Sequence, residues 1–255
     1  MKQRALRMNE LAQQILRSGK FRDSDGNESP LHSYTNLEQC EFLVQQMRAV
    51  GARTTLEVGL AYGLSALFIC DELSKTEGSK HYAIDPYQLT ASWNGQGLLH
   101  LDRAGLREFC DFRDAPAQDV LPQLASEGVK LDFAYIDAGK RLDETLIYSY
   151  YLCQMIRVGG RIAYDDVCYP GIRKALRYLV QQDHLRVVDS CASNRASLKR
   201  RLAARVASLL PLPGKRHWLA PELQCSDEEM GLAADCVVLE KTREFEDDWK
   251  WHVAF

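Results

Sequence analysis

Three carboxylates and a lysine are the residues of this chain best placed to do chemistry. Asp137 closes the run LDFAYID, Lys140 follows three positions later, and Asp165-Asp166 closes the run GRIAYDD. If the two runs are adjacent parallel strands, their carboxyl ends meet and the three acids converge. Three uncompensated acids repel, so one carboxyl must shift its pKa or a cation must balance the set. A hard divalent ion with oxygen ligands suits such a site: Mg2+, or in its place Ca2+ or Mn2+. It would leave positions open for water or substrate oxygens. The pair Asp165-Asp166 also has a plainer reading, as caps of the next helix, since Asp is a favoured N-cap. Asp137 and Lys140 favour the cation. A loop lysine is ordinarily solvated; only its position relative to Asp137 sets Lys140 apart.

A second group lies upstream. Glu57-Val58-Gly59-Leu60-Ala61-Tyr62-Gly63-Leu64-Ser65 joins a strand-like run to a helical one. Glycine at 59 and 63 lets the backbone turn tightly and approach a ligand. The spacing is G-x-A-x-G, not the G-x-G-x-x-G of a dinucleotide fold. A pyrophosphate prefers the bare amide end of a helix; an acid beside the turn favours a ligand with a cationic group. Asp85 ends the next strand-like run, 28 residues after Glu57. There a carboxylate can accept both ribose hydroxyls of a nucleoside.

The elements that must position these residues alternate. Strands are expected at 54–59, 81–86, 108–112, 131–137, 160–166 and 185–190, with helix-length segments between them and a late, antiparallel strand at 236–241. Several runs are apolar on both faces, as strands covered by helices on both sides should be. This predicts an α/β fold with a doubly wound, mostly parallel, seven-stranded sheet. Before it, 1–22 reads as an amphipathic helix, 23–30 as a polar linker and 36–50 as a second helix. The organisation expected is an N-terminal helix and linker at 1–35, the main domain at 36–241 and an aromatic tail at 242–255. Within the domain, 190–233 is an insertion before the last strand. Its stretch 190–221 holds seven basic residues and no acid, so the remainder carries -10 of the net charge of -3. It reads as a solvated helix, a lid over an anionic acceptor, or a contact with an anionic membrane surface.

Composition narrows the classes. Hydrophobic residues make up 46% and charged residues 26%, as in an ordinary globular protein. The slightly acidic balance argues against a nucleic-acid binder. No apolar run reaches membrane-spanning length, and the first residues lack the apolar stretch of a signal peptide. The eight cysteines contain no C-x-x-C pair, so reduced thiols in a cytoplasmic protein are expected. The six histidines are not spaced as a metal cluster.

The glycine turn with Glu57 and Asp85 resembles the class I methyltransferases that use S-adenosylmethionine. The resemblance implies Glu57, Gly59, Ala61, Gly63, Ser65 and Asp85 as cofactor contacts. The stretch AQDVLPQLASEGVKLDFAYIDAGKRLDETL resembles the catechol O-methyltransferase subgroup, and the acidic pair also resembles bacterial enzymes that methylate sugars and other hydroxylated natural products. By that resemblance Asp137, Asp165 and Asp166 are metal ligands, Lys140 is the base, Gln118 lies near the adenine, and Asp137 also borders the cofactor and the reacting atoms. The implied acceptor is a hydroxyl of a small molecule or glycosidic natural product, and a homodimer is implied. The sequence departs from the catechol enzymes at Ala138 and Gly139, where they carry a histidine and an aromatic residue. Two other classes stand beside this one: a nucleoside-binding relative with a different, hydroxylase-like reaction, and a non-catalytic binding module. Retention of the three acids and the lysine favours the methyltransferase.

Overall fold

The computed structural model describes residues 10–191 and 225–245. Its centre is a seven-stranded sheet made of β3 (Thr54–Val58), β4 (Lys80–Ile84), β5 (Cys110–Arg113), β6 (Leu131–Ile136), β7 (Ile156–Tyr164), β8 (Leu185–Cys191) and β9 (Cys236–Lys241). The order is β5-β4-β3-β6-β7-β9-β8. All pairs are parallel except those of β9, which runs antiparallel to both β7 and β8. The expected sheet and its late antiparallel strand are both present. The third run is shifted: Arg107–Phe109 forms a turn of 3-10 helix, and the strand starts at Cys110.

Side-chain alternation divides the sheet into two buried faces. Leu56, Val58, Ala134 and Ile136 pack with residues of α5 (Ala117–Ser126), α6 (Leu142–Met155) and α7 (Pro170–Leu179). Phe133 and Tyr135 point the other way, among Leu43 and Met47 of α2 (Leu37–Ala49) and Ile69 and Leu73 of α3 (Leu64–Leu73). Helix α2 starts where the sequence predicts: the Asn36 side chain caps it by accepting the Gln39 N–H at 3.0 Å.

The N-terminal segment differs from its expectation. Within the described residues helix α1 covers Glu10–Ser18, and it ends short of residue 22 because Gly19 turns into the left-handed region (φ 65°). Lys20–Arg22 (β1) then pairs antiparallel with Glu28–Pro30 (β2). The polar stretch taken for a linker is thus the turn and second strand of a hairpin. Asp23 closes the turn, its Oδ1 accepting N–H bonds from Asp25 and Asn27. The hairpin is docked: the Phe21 ring lies 4.7 Å from that of Tyr62, and Arg103 donates to the Arg22 carbonyl. Most of the basic insertion and all but the first residues of the aromatic tail lie outside the described residues. Among the described residues no helix is long and apolar enough to cross a membrane.

Candidate active site

The carboxyl ends of β3, β4, β6 and β7 hold most of the residues singled out from the sequence. Asp137 follows β6 and donates its N–H to the Val58 carbonyl at 2.9 Å; Asp165 follows β7 and donates to the Ile136 carbonyl at 2.9 Å. The ladder therefore carries both acids to the same edge. One oxygen from each of Asp137, Asp165 and Asp166 lies within 4.8 Å of the others. The helix-cap reading of the pair fails, since the N-cap of α7 is Tyr169 and no side chain caps it. Asp166 instead sits in the left-handed region (φ 56°), and its N–H bonds the Asp165 Oδ1 at 2.8 Å.

The cluster is short of positive charge. Burial, then the neighbouring Asp165, pushes the Asp137 carboxyl up to about 7, although Lys140 opposes the shift. Burial and Asp166 raise Asp165 as well. Lys140 reaches Asp137 Oδ1 at 3.2 Å and also pairs with Asp166. Its pKa moves opposite to the direction a base needs. Burial presses it down, but Asp137 and Asp166 outweigh burial and hold the ammonium above the ordinary lysine range.

The glycine turn lies alongside. A Cβ on residue 59 would stand 2.5 Å from the Asp137 carbonyl oxygen, and one on residue 63 would stand 2.9 Å from the Gly97 carbonyl oxygen. Both positions also have positive φ, 99° and 68°. The glycines are thus required by backbone packing as well as by the turn, and Ala61 takes the same left-handed region at φ 46°. Asp85 is buried and stitches the turn together. Its Oδ2 accepts the Leu60 and Ala61 N–H groups at 3.1 and 2.9 Å, and its Oδ1 accepts that of Tyr87 at 2.8 Å. Helix α3 then begins at Leu64 without a side-chain cap.

Two expected cofactor contacts face inward. Glu57 is fully buried; its Oε2 accepts from Ser65 Oγ at 2.7 Å and its Oε1 lies 3.2 Å from His81 Nε2. That second contact has ion-pair distance without hydrogen-bond alignment. In this structure Glu57 and Ser65 tie α3 to the sheet. Gln118 is exposed in the first turn of α5 and lines a groove with Leu146, Ile147 and Tyr150 of α6. Trp93 stacks on His32 at 5.5 Å and meets Tyr62 edge-on at 5.2 Å, whereas Tyr87 is exposed.

Several residues were missed by sequence reasoning. Gln88 is fully buried, donating to the Ala61 carbonyl at 2.8 Å and accepting the Gly97 N–H at 2.9 Å. Thr35, Gln39 and Tyr135 lie against the acidic cluster. His81 stands beside Glu57, with Thr55 Oγ1 2.8 Å from its other ring nitrogen. No local sequence signal marks any of them.

A seven-stranded sheet with one antiparallel strand, a glycine turn after its central strand and acids at the neighbouring strand ends is a methyltransferase-type architecture. Comparison with known proteins takes this further. The family model described as O-methyltransferase matches residues 24–189, and the chain belongs to that family. It is 31% identical over 159 residues to caffeoyl-CoA O-methyltransferase 1 of Eucalyptus globulus, covering 56% of this chain and 60% of that protein. To caffeoyl-CoA O-methyltransferase 2 of Zea mays it is 32% identical over 144 residues, covering 54% and 50%. The chain therefore spans between half and three fifths of the length of these relatives. Among solved structures, it resembles an O-methyltransferase from Streptomyces achromogenes involved in tomaymycin synthesis, in complex with SAM. The TM-score is 0.63, at 16% identity over 94% of this chain and 92% of that one. It also resembles the O-methyltransferase of Bacillus cereus in complex with SAH, with a TM-score of 0.58 at 20% identity over 72% and 84%. These two likenesses bear on the fold.

Proposed function

We propose that this protein transfers a methyl group from S-adenosylmethionine to a hydroxyl of a small molecule or glycosidic natural product, with a divalent cation bound by Asp137, Asp165 and Asp166. The observation that carries the proposal is the meeting of those three carboxylates at one sheet edge, next to the glycine turn. The donor set fits the ion: hard oxygens, close together, and a carboxyl that burial and the neighbouring Asp165 push up to about 7. Held by Asp137, Asp165 and Asp166, a cation such as Mg2+ would supply Lewis acidity, making the acceptor hydroxyl easier to deprotonate.

The protein's own part is placement and proton management. The turn Gly59–Gly63 and Asp85 hold the nucleoside end of the donor so that its methyl faces the carboxylate edge. Alignment of oxygen, methyl carbon and sulfur can supply about 7–11 kcal/mol. The substrate oxygen forms the new C–O bond as the C–S bond breaks, and the electron pair stays on sulfur, which loses its positive charge. Asp137 and Asp166 hold Lys140 at the cluster as an ammonium; a cation on these carboxylates would offset the charge that keeps it protonated, and with that proton given up to solvent the amine would be placed to accept the hydroxyl proton. Asp137, at the seam between turn and cluster, borders donor and reacting oxygen together. Calorimetry of S-adenosylmethionine binding, with methyl transfer to a panel of hydroxylated acceptors with and without EDTA, tests the proposal. Cofactor binding with metal-dependent transfer is expected. Full transfer in excess EDTA would remove the metal, and absence of cofactor binding would remove the whole reading.

A further inference from the structure

A tyrosine lies under the acidic cluster. Tyr135 is the penultimate residue of β6 and is fully buried, its ring among Leu43, Met47 and Phe133. Packing alone asks only for a phenylalanine there. The hydroxyl is surrounded by polar atoms instead. It lies 2.9 Å from Asp165 Oδ2 and 3.3 Å from Asp137 Oδ2, and it accepts the Gln39 Nε2–H at 3.1 Å. Thr35 Oγ1 sits 3.4 Å from both the phenol oxygen and Asp137 Oδ2. A phenol has one proton to give. The shorter contact places it on Asp165, and Thr35 then serves Asp137. Gln39 occupies the phenol's acceptor side, so the hydroxyl cannot rotate away without leaving a buried polar group unpaired. Asp165 is thus held by the phenol and Asp137 by Thr35, whose two oxygens lie 3.4 Å apart.

We propose that Tyr135 is the positioning residue of the metal site: its hydroxyl, locked by Gln39, holds the Asp165 carboxylate beside Asp137 in the arrangement that grips the cation. The inference rests on the metal reading above and adds to it a residue that touches neither ion nor substrate. Groups that orient metal ligands commonly carry 10- to 100-fold of the affinity. It also assigns a use to the first turn of α2 and the residue before its cap. Gln39 holds the phenol and Thr35 holds Asp137, so this part of the chain bears on the site from the face opposite α6.

The test is a Mn2+ titration of the full chain followed by electron paramagnetic resonance, for wild type, Tyr135→Phe and Gln39→Met, with S-adenosylmethionine affinity measured alongside in the absence of metal. Wild type is expected to bind one Mn2+. Tyr135→Phe should bind it about tenfold or more weakly, Gln39→Met should shift in the same direction, and cofactor affinity should stay unchanged. Equal Mn2+ affinity in wild type and Tyr135→Phe would overturn the inference. So would a matching loss of cofactor affinity, which would mark a general loosening of the fold. If Tyr135→Phe fails to fold, Gln39→Met decides by the same comparison. A wild type that binds no Mn2+ would instead overturn the metal reading itself, and the inference with it.

Discussion

Gly59 and Asp137 touch through their backbones: a Cβ at residue 59 would stand 2.5 Å from the Asp137 carbonyl oxygen. The glycine turn and the acidic cluster are therefore one piece of structure. Gly59→Ala should force β3 and β6 apart at their ends and strain a positive φ, costing about 1–3 kcal/mol of stability. Thermal unfolding checks this. S-adenosylmethionine affinity should fall in the same variant, and an unchanged melting temperature would contradict the packing argument.

Lys140→Met tests the proton acceptor. The ammonium bonds Asp137 and Asp166 but no group of the glycine turn. Turnover should drop by about 10²- to 10⁴-fold, while cofactor affinity, measured by calorimetry, changes little. Losses of equal size in both would assign Lys140 to binding instead.

His81 gives the fold a pH dependence. Burial lowers its pKa, but Glu57 outweighs burial and raises it above the ordinary 6.5. The folded chain thus holds the proton more tightly than the unfolded chain. The stabilisation is complete below pH 6.5 and is lost as pH rises through the folded-state value. Melting temperature should decline over that upper range. His81→Gln should remove that part of the slope and, by leaving Glu57 buried without its partner, cost about 3–5 kcal/mol at low pH. Melting curves of both proteins from pH 5 to 9 check the sign.

Gln88→Leu should loosen the loop that backs the turn. Its amide bonds the half-buried Ala61 carbonyl and the buried Gly97 N–H. Leaving these groups unpaired costs about 1–3 kcal/mol, read by denaturant unfolding, with a weaker cofactor affinity in parallel.

The convergence of Asp137 with Asp165 was legible because it needs only two adjacent parallel strands, and strands apolar on both faces announce themselves in the sequence. The glycine turn was legible through its spacing. Its neighbours were not: Asp137 and Gly97 press on it from elements 78 and 34 residues downstream of the glycines they meet. Tyr135 read as one more apolar strand residue, since its partner Gln39 lies 96 residues away on α2. His81 opens the strand expected at 81–86, and the parallel register sets it against Thr55, two residues before Glu57 on the same face. The hairpin at 20–30 escaped because its strands are three residues long and polar, and its docking depends on Phe21 meeting Tyr62.

The measurement that bears most directly on the account is a calorimetric titration of Mg2+ into metal-stripped protein, for wild type, Asp137→Ala and Asp165→Ala. One ion per wild-type chain, and no measurable binding in either variant, is the expected result. Binding that survives both substitutions, or no binding by wild type, would contradict a divalent-cation site at the meeting of β6 and β7.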